Sequence, residues 1–550
     1  MLKHSFASLA CMHAVLACAA PAEPLLEMDY FAEQPVVLSA SRLSQPVSRA
    51  PAAVTVITRE MIEASGFRHL VDVLRLVPGF VVGWSGGNMP AASYLGLSNE
   101  FPHWMQIKVD GRSIYNPAYG HTTWRGIPLT LDDVDRIEVV RGPNSANDGL
   151  NSMLGTVHIF TRHSAITLGG MGEVAVGDKQ FRETNLRYGA ETSSGSWRLG
   201  LLGREDERHG LAQDHASDLQ LSFRGDFQPT LKDDVMLQFG ASKGLWQGTN
   251  VGQFLYDAQL TQYLSGFANL RWKRALREGR EWSLQVHHTF NRNEENIPLP
   301  APLDPLSGDY TTTGSGIQFT YLDQSGSRLR TSFSGEYRVN RVRLPALLGS
   351  EEYLKDDISR LSGAAEWSPS PKWVLHAGTM LERHSDTGGT YFSPRLALNW
   401  LSSGEHSFRL GYSQGRSGSV AWNTSCGGVQ PHTAGWCCPN PGFLPLPIRK
   451  RMTTLGPFHG TPFLFWLPIR LRESTSASAI TTPANFIGML TANTPANTTA
   501  WICAWPKTGK PSTAGSRRLW CCKAYSAMSS KASERICIRS SILSGAAISV

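Results

Sequence analysis

The sequence predicts a small α+β domain followed by a long antiparallel β sheet. Between residues 46 and 165, short strand-like patterns alternate with helix-sized apolar patterns. From about 166 to 415, apolar residues recur at every second position, which is the period of a strand with one polar and one apolar face. The N-terminus has the features of an export signal, so we expect the protein to leave the cytoplasm.

Residues 1–20 have the composition of a secretory signal peptide. Lys3 and His4 form a short positive start, residues 6–17 are mostly apolar, and small residues suit cleavage near Ala20. A buried N-terminal helix and a lipoprotein signal at Cys18 are the alternatives. No other stretch approaches 18 apolar residues, so a membrane-spanning part would have to be built of strands.

Charge and cysteine content divide the chain near residue 415. The chain holds 52 basic and 45 acidic residues, but residues 416–550 hold 14 of the basic residues and only 2 of the acidic ones. Residues 1–415 are therefore slightly acidic, which argues against nucleic-acid binding. Seven of the nine cysteines lie beyond residue 425, with no C-x-x-C spacing, and this pattern predicts neither a zinc site nor a regular disulfide framework.

The α+β domain is predicted over residues 46–165. Strands are expected at 51–58, 105–109, 132–140 and 156–162, and a short helical turn at 60–65. A second helix is predicted from four apolar residues at i, i+3, i+4 and i+7, ended by Pro78-Gly79: Leu70, Val73, Leu74 and Val77.

The sheet is predicted over residues 166–415, with about thirteen strands. In one strand, Val235, Leu237 and Phe239 alternate with Met236 and Gln238. Short turns alternate with longer stretches such as 206–215 and 293–309, which is typical of a membrane barrel with short turns on one side and long loops on the other. A water-soluble sandwich would show the same alternation.

Residues 138–162 carry the most specific pattern. A strand ends in the turn Arg141-Gly142-Pro143, a loop punctuated by Gly149 and Gly155 follows, and a second strand leads out. This order resembles the end of the plug domain of TonB-dependent outer-membrane receptors, and the resemblance covers residues 33–415. It implies an α+β plug domain inside a transmembrane antiparallel β-barrel, in the outer membrane of a Gram-negative bacterium. Plugged barrels close with about 22 strands, so about nine are missing.

The stretch just before the plug, residues 33–42, resembles the TonB box, and residues 21–45 are assigned to the box and its linker. The resemblance implies that TonB, with its inner-membrane energising complex, adds this extended peptide to a sheet edge. An ordinary first strand is the alternative. The residues expected to bind TonB are Gln34, Pro35, Val36, Val37, Leu38 and Ser39.

The resemblance also implies that Glu138 and Arg141 pair with barrel charges and hold the plug. Solvated turn charges are the alternative. The chain departs from the family at Leu95-Gly96, where relatives usually carry an Arg-Gly pair. The role of that arginine is therefore in doubt here.

The plug loops are rich in aromatic and amide side chains, which suit a large, partly apolar chelate. Packing under the barrel wall is the alternative for each residue. No metal site of the protein itself is expected, because a metal would arrive inside its chelator. The ligand-binding candidates are Trp84, Tyr94, His103, Trp104, Tyr115, Tyr119, His121 and Trp124.

Residues 416–550 lack the alternation, and Pro-rich runs interrupt any strand. The nucleotides that encode this region can also be read in the frame two bases downstream. In that frame Trp501-Ile502 must contribute an Asp codon and Trp505-Pro506 an Ala codon, and the region then resembles a barrel strand. We therefore expect an out-of-frame tail; a disordered or disulfide-linked extra domain is the alternative.

The resemblance implies energy-coupled uptake of a scarce chelate, with a ferric siderophore first and cobalamin or haem as alternatives. A non-functional frameshifted remnant and a passive porin are the other possibilities. Two G-x-S-x-G matches, at Ser85 and Ser413, suggest a serine hydrolase, but neither has the strand, sharp turn and helix of a nucleophile elbow. We expect no enzyme activity and no cofactor, and a monomer in contact with outer-membrane lipid.

Overall fold

The fold was examined in a computed structural model. It describes residues 35–85, 88–97, 102–207, 214–248, 259–297, 306–386, 388–402 and 407–415, together with the backbone of five short strands between 464 and 539. The predicted order of an α+β domain followed by a long antiparallel sheet is confirmed. Gln34 and the predicted signal peptide lie outside the described residues.

Residues 36–161, which include the α+β domain, contain eleven strands and two short α-helices. A five-stranded sheet forms the centre of the domain, in the order β3-β10-β11-β6-β7. The elements are β1 (Val36–Val37), β2 (Gln45–Pro46), β3 (Ala53–Ile57), α1 (Arg59–Ser65), β4 (Phe80–Ser85), β5 (Met89–Tyr94), β6 (Met105–Val109), β7 (Arg112–Ser113), β8 (Tyr115–Asn116), β9 (His121–Thr122), β10 (Val134–Arg141), α2 (Ser145–Asp148) and β11 (Gly155–Thr161).

The core of this domain is apolar and lies on its central sheet. Ile137 and Val139 of β10 are fully buried against Val157 and Ile159 of β11, which runs antiparallel to β10. Helix α1 begins where the Thr58 side chain accepts a hydrogen bond from the backbone N–H of Met61 at 3.4 Å. Both features agree with the strands and the helical turn predicted here.

The helix predicted around residues 70–77 is different in the structure. Only Asp72–Leu76 is helical, and it is a 3₁₀ helix in which the backbone N–H of Val77 bonds the carbonyl of Leu74. The residue before a proline avoids the α conformation, so Val77, which precedes Pro78, is extended and ends the helix after Leu76. The predicted apolar face is nevertheless buried at Val73 and Val77.

Leu95, at the departure from the family pattern, has a φ of 58°, which is uncommon for a leucine. Its backbone N–H donates to the carbonyl of Gly79 at 2.7 Å, and its side chain packs against the plug core. Here the chain makes a tight turn after β5, and an apolar side chain takes the place of the arginine.

The second part is an antiparallel sheet of thirteen long strands and one two-residue strand, as the alternation predicted. Each long strand pairs with the next along the chain. The strands are β12 (Gly169–Val176), β13 (Arg182–Thr192), β14 (Gly195–Glu207), β15 (His215–Thr230), β16 (Asp233–Gly248), β17 (Gln259–Arg277), β18 (Arg280–Ile297), β19 (Leu306–Ser307), β20 (Tyr310–Asp323), β21 (Leu329–Arg343), β22 (Leu354–Ser370), β23 (Trp373–His384), β24 (Thr390–Leu401) and β25 (Ser407–Ser413).

A one-turn helix, α3 (Pro345–Leu348), lies between β21 and β22. Beyond β25 the backbone forms β26 (Leu464–Pro468), β27 (Phe486–Asn493), β28 (Thr498–Ala504), β29 (Leu519–Lys523) and β30 (Arg535–Arg539). Within the described part of the chain, the sheet runs from β12 to β28, and no pairing joins its first strand to its last. The sheet is therefore open, as expected for a barrel that lacks strands.

The sheet, called the wall from here on, is apolar on its outer face and polar on its inner face. Leu361 is 53% exposed, whereas its neighbour Arg360 is 5% exposed. The same alternation separates Leu381 from Glu382, with 46% and 2% exposure. Apolar side chains pointing outward and buried charges pointing inward are the pattern of a sheet whose outer surface meets lipid.

Candidate functional site

The N-terminal segment, defined as residues 37–45, lies between the plug and the wall. Val37, Ala40 and Leu43 are almost completely buried, and Ser39 is 2% exposed. Val36, just before it, is half exposed. The predicted TonB-binding residues therefore differ in exposure, because Val37 and Ser39 are buried, Leu38 is half-buried and Val36 is accessible.

Glu138 makes its contacts with this segment. Its carboxylate accepts hydrogen bonds from the backbone N–H groups of Leu38 and Ser39, at 2.9 and 3.0 Å, and from Nε of Arg136 at 3.0 Å. All three partners belong to the N-terminal segment or the plug. The contact between Glu138 and barrel charges, implied by the resemblance, stays a prediction.

Arg141, the second residue expected to face the barrel, is 7% exposed. It hydrogen-bonds the hydroxyl of Tyr94 within the plug, and its charge acts on Arg409 of β25, which is a like charge. Its Nε has no hydrogen-bond partner among the described residues. The pairing of Arg141 with barrel charges, implied by the resemblance, stays a prediction.

The loop after Arg141 is the part of the plug that the wall holds most firmly. The carbonyl of Pro143 accepts from Nη2 of Arg395 at 2.8 Å and from Oγ of Ser413 at 3.0 Å. The backbone N–H of Leu150 donates to Glu382 at 2.8 Å. Strands β23, β24 and β25 therefore all bond to the loop that the sequence marked as most specific.

Gly149 is required in this loop for two reasons. Its φ is 82°, a conformation that favours glycine, and a Cβ there would approach Oε2 of Glu382 to 2.5 Å and Nε of Arg360 to 2.8 Å. Glu382 and Arg360 form a buried ion pair with an N–O distance of 2.7 Å. The loop backbone therefore lies directly against a charged pair of the wall.

Asp148, at the end of α2, is the centre of a buried polar cluster. Nζ of Lys108 lies 2.7 Å and Nε2 of His158 2.9 Å from its carboxylate oxygens, and Nδ2 of Asn144 donates to it at 2.6 Å. Burial alone would raise the pKa of Asp148, but Lys108 and His158 hold it well below its usual range. This carboxylate is therefore ionised at neutral pH and joins three elements of the plug.

The opposite side of the plug meets β16 to β18 through amides. Nε2 of Gln238 donates to the Asp110 carboxylate at 2.7 Å, and Nε2 of Gln285 donates to the Asp110 carbonyl at 2.9 Å. The guanidinium of Arg112 lies 4.0 Å from the ring centre of Phe267, and burial lowers its pKa to about 10. Amide side chains of the wall bond this side of the plug, whereas at the loop the charged side chains of Arg395 and Glu382 bond backbone groups.

The eight ligand-binding candidates separate into two groups. Tyr94 and Trp124 belong to the hydrophobic core of the plug, and Tyr94 packs on Phe80 with 5.5 Å between ring centres. The other six are Trp84, His103, Trp104, Tyr115 and Tyr119, which are half-buried, and His121, which is 7% exposed. Tyr94 and Trp124 therefore pack in the plug core, and the ligand role of all eight residues stays a prediction.

Three candidates come together near the wall. Tyr119 lies edge-on to Tyr310 of β20 at 5.1 Å and 6.1 Å from His121, and Nδ1 of His103 lies 3.1 Å from the carbonyl of Gly120. Burial, reinforced by His103, lowers the pKa of His121 to about 3, so its imidazole is neutral at physiological pH. Trp84 lies elsewhere, with its ring centre 5.0 Å from that of His69.

Sequence reasoning missed the residues on the wall that hold the plug. Arg395, Glu382 and Asn399 all face inward on strands whose alternation was recognised. The available signal was a charged or amide residue at an inward position of a membrane strand, where burial makes an unpaired charge costly.

Asp356, His384 and Asp386 offer ligand atoms that lie within 4.8 Å of one another. Both ring nitrogens of His384 are already engaged, Nδ1 with Asp356 at 2.8 Å and Nε2 with Glu382 at 2.9 Å. The imidazole therefore serves as a hydrogen-bonded bridge between two carboxylates of the wall.

The two serines of the G-x-S-x-G matches lie at strand ends. Ser85 ends β4, and Ser413 ends β25 with its hydroxyl donating to the carbonyl of Pro143. That hydroxyl is thus used in holding the plug.

Among the described helices, none is long and apolar enough to cross a membrane.

The comparisons with known proteins agree with this architecture. Residues 46–156 match the TonB-dependent Receptor Plug Domain family, and residues 166–443 match the TonB dependent receptor-like beta-barrel family. The vitamin B12 transporter BtuB of Vibrio vulnificus is 29% identical over 336 residues, covering 60% of this chain and 49% of that protein. An iron-regulated outer membrane virulence protein of Vibrio cholerae is 32% identical over 135 residues, 24% of this chain and 20% of that protein.

Solved structures share the fold at low sequence identity. The ferric enterobactin receptor PfeA of Pseudomonas aeruginosa superimposes with a TM-score of 0.57 at 16% identity, over 70% of this chain and 64% of that chain. The ferric-catecholate import receptor Fiu of E. coli K12 gives a TM-score of 0.57 at 12% identity, over 69% and 72%. The vitamin B12 transporters match about 60% of this chain, and the chain spans about half of their length. With a plug domain and a barrel match that covers half of its residues, this chain belongs to the family of TonB-dependent receptors.

Proposed function

We propose that this protein takes up a scarce metal chelate across the outer membrane and draws the energy from TonB. The supporting observation is that a folded domain is hydrogen-bonded to the polar inner face of the wall at Pro143, Asn144 and Leu150. Such a domain closes a pore and must move before a large solute can pass. The location is the outer membrane of a Gram-negative bacterium, as for the receptors of this family.

The proposed cycle has no covalent step. A chelate binds the outer loops and the half-buried aromatic residues of the plug, among them Tyr119 and Trp104. TonB then pairs with residues 34–39 as an added strand and pulls on the plug. The hydrogen bonds between plug and wall are exchanged for water, and a passage opens along the polar inner face.

A ferric siderophore is the first ligand class we propose, in keeping with the aromatic plug loops. Cobalamin is the second, because the relatives matched over the longest stretch of sequence are vitamin B12 transporters. Haem is a third class of chelate that aromatic loops would suit. The likeness to siderophore receptors concerns the fold, since identity there is only 12–18%.

The remaining assignments belong to the same proposal. Residues 1–20 are removed as a signal peptide, 21–45 carry the TonB box and linker, 46–165 form the plug, and 166–415 form part of the barrel. Residues 416–550 are out of frame, and a monomer is the functional unit. Reading the nucleotide sequence around codon 415 tests the frame directly: an intact frame with no inserted or deleted base would contradict it.

An uptake assay tests the coupling. In a frame-repaired gene, Val36→Pro removes a backbone N–H from the accessible part of the box, whereas Val36→Thr keeps the N–H and the β-branched shape. The wild type is tested with labelled ferric siderophore and with labelled cobalamin. We expect the proline variant to lose the uptake that the wild type shows, and the threonine variant to retain it. Uptake that survives the proline would contradict TonB coupling.

A further inference from the structure

One carboxylate holds two consecutive backbone amides of the N-terminal segment. Oε2 of Glu138 accepts from Leu38 and Ser39, and Oε1 accepts from Arg136. Glu138 is fully buried on β10, which pairs with β3 on one side and β11 on the other. Hydrogen bonds to an ionised acceptor are roughly twice as strong as neutral ones. Release of the segment therefore requires the loss of two such bonds.

The carbonyls of the segment are held from both sides. Nδ2 of Asn147, on the plug loop, donates to the carbonyl of Ser39 at 2.8 Å. Nη1 of Arg395, on the wall, donates to the carbonyl of Ala40 at 2.7 Å. The segment is thus fixed through its backbone as well as through its buried apolar side chains.

This arrangement conflicts with strand addition. A peptide that joins a sheet edge offers its own N–H and C=O groups to the partner strand. The N–H groups of Leu38 and Ser39 are occupied by Glu138, so the last two residues of the proposed box can pair with another protein only after they leave that carboxylate.

We propose that Glu138 is the positioning residue that keeps the end of the TonB box docked, so that TonB competes with this carboxylate for the backbone of Leu38 and Ser39. The inference rests on the proposed function for its partner. It assigns to Glu138 a role toward the N-terminal segment, which differs from a role in pairing with barrel charges. The apparent affinity for TonB is then reduced by the fraction of molecules in which the segment is docked.

Amide hydrogen exchange on the full chain in detergent micelles tests the docking without TonB. Glu138→Gln keeps the shape of the side chain but removes its charge and one acceptor oxygen. We expect the peptide covering residues 37–45 to exchange about tenfold faster in this variant, as the loss of a charge-assisted bond implies. Asp135→Asn is the matched control, because Asp135 lies on the same strand and also bonds Arg136, but is 41% exposed at its side chain. Its exchange should equal that of the wild type.

Exchange of β11 shows whether the variant plug is folded, because Val157 and Ile159 are in its core. If Glu138→Gln unfolds the plug, Asn147→Ala serves instead, since it removes the bond to the carbonyl of Ser39 and leaves β10 intact. We expect a smaller but localised increase at residues 37–45. Unchanged exchange there, with a folded plug, overturns the inference.

Titration with the purified C-terminal domain of TonB separates this inference from the proposed function. If Glu138 competes with TonB, Glu138→Gln binds about tenfold more tightly than wild type and than Asp135→Asn. Faster exchange with equal TonB affinity in all three proteins overturns the competition. Faster exchange with no TonB binding by any of them contradicts the proposed function while supporting the docking role of Glu138.

Discussion

The plug and the wall use apolar residues in opposite ways. In the plug, Ile137 and Val157 are at the centre and are fully buried. In the wall, Leu361 and Phe392 are more than half exposed, whereas Arg360 and Arg395 are buried. The plug follows the rule for a domain in water, and the wall follows the rule for a sheet with lipid outside and a polar partner inside. Where the two meet, the wall presents mainly polar and charged side chains to the plug.

The largest expected effect is at that interface. Glu382→Ala removes the partner of Arg360 at 2.7 Å and the acceptor of the Leu150 N–H, and leaves the buried guanidinium with Glu336 alone, at 3.2 Å. Breaking a buried pair costs about 3–5 kcal/mol. We expect a fall of about 4 kcal/mol in the free energy of unfolding, measured by denaturant titration in micelles.

Glu382→Gln is the control for that change, because it keeps the acceptor for Leu150 and fills the same space. It should cost less than the alanine variant. Equal effects of the two substitutions would mean that volume, rather than the ion pair and its hydrogen bonds, dominates at this point.

A second prediction concerns the core of the plug. Ile137→Ala removes a fully buried side chain from β10 and should lower the free energy of unfolding by about 3 kcal/mol. Val81→Ala, at a position that is 58% exposed, should change it by less than about 0.5 kcal/mol. Because this core is shielded from lipid, the cost should be the same in micelles and in bilayers, and tryptophan fluorescence during denaturant titration can measure both.

The outer face of the wall should behave differently. Leu361→Arg places a charge where the wall is apolar, and in a bilayer we expect a cost of about 2 kcal/mol. Leu231→Arg, in the turn between β15 and β16, is the control with a fully exposed side chain. Unfolding of the chain in lipid vesicles tests this. If Leu361→Arg were as neutral as the turn variant, the sheet would be a water-soluble one.

The smallest effect should be a dependence on pH. The pKa of Asp148 is held well below its usual range by Lys108 and His158, so the folded state binds this proton less readily than the unfolded chain. Its contribution to stability is present above the unfolded pKa of about 3.9 and is lost as the pH falls from there toward the folded value. Denaturant titrations at several acidic pH values should show this loss, and Asp148→Asn should flatten it.

The sequence predicted the fold better than the site. A strand period of two is set by local geometry, so thirteen strands and the alternation of short and long connections could be derived without contacts. The helix around Val73 was misjudged because Pro78 limits it to one 3₁₀ turn. The burial of Tyr94 and Trp124 in the plug core could not be derived from sequence, because an aromatic ring in a Gly-rich loop looks the same whether it packs inward or faces a solute.

The contacts of Glu138 could not be derived from the sequence. They join residues about 100 positions apart, and Asn147 and Arg395 meet the segment from elements distant in the chain. What the sequence offered was a set of polar residues in buried strands, which says that partners must exist but not which ones.

The bonds between Arg395 and the carbonyls of Ala40 and Pro143 have a consequence for folding order. A guanidinium inside the sheet finds these acceptors only after the N-terminal domain has arrived, and the Glu382 carboxylate needs the Leu150 amide in the same way. Without the plug, these polar groups of the sheet would need water or another partner in place of the backbone that they now bond.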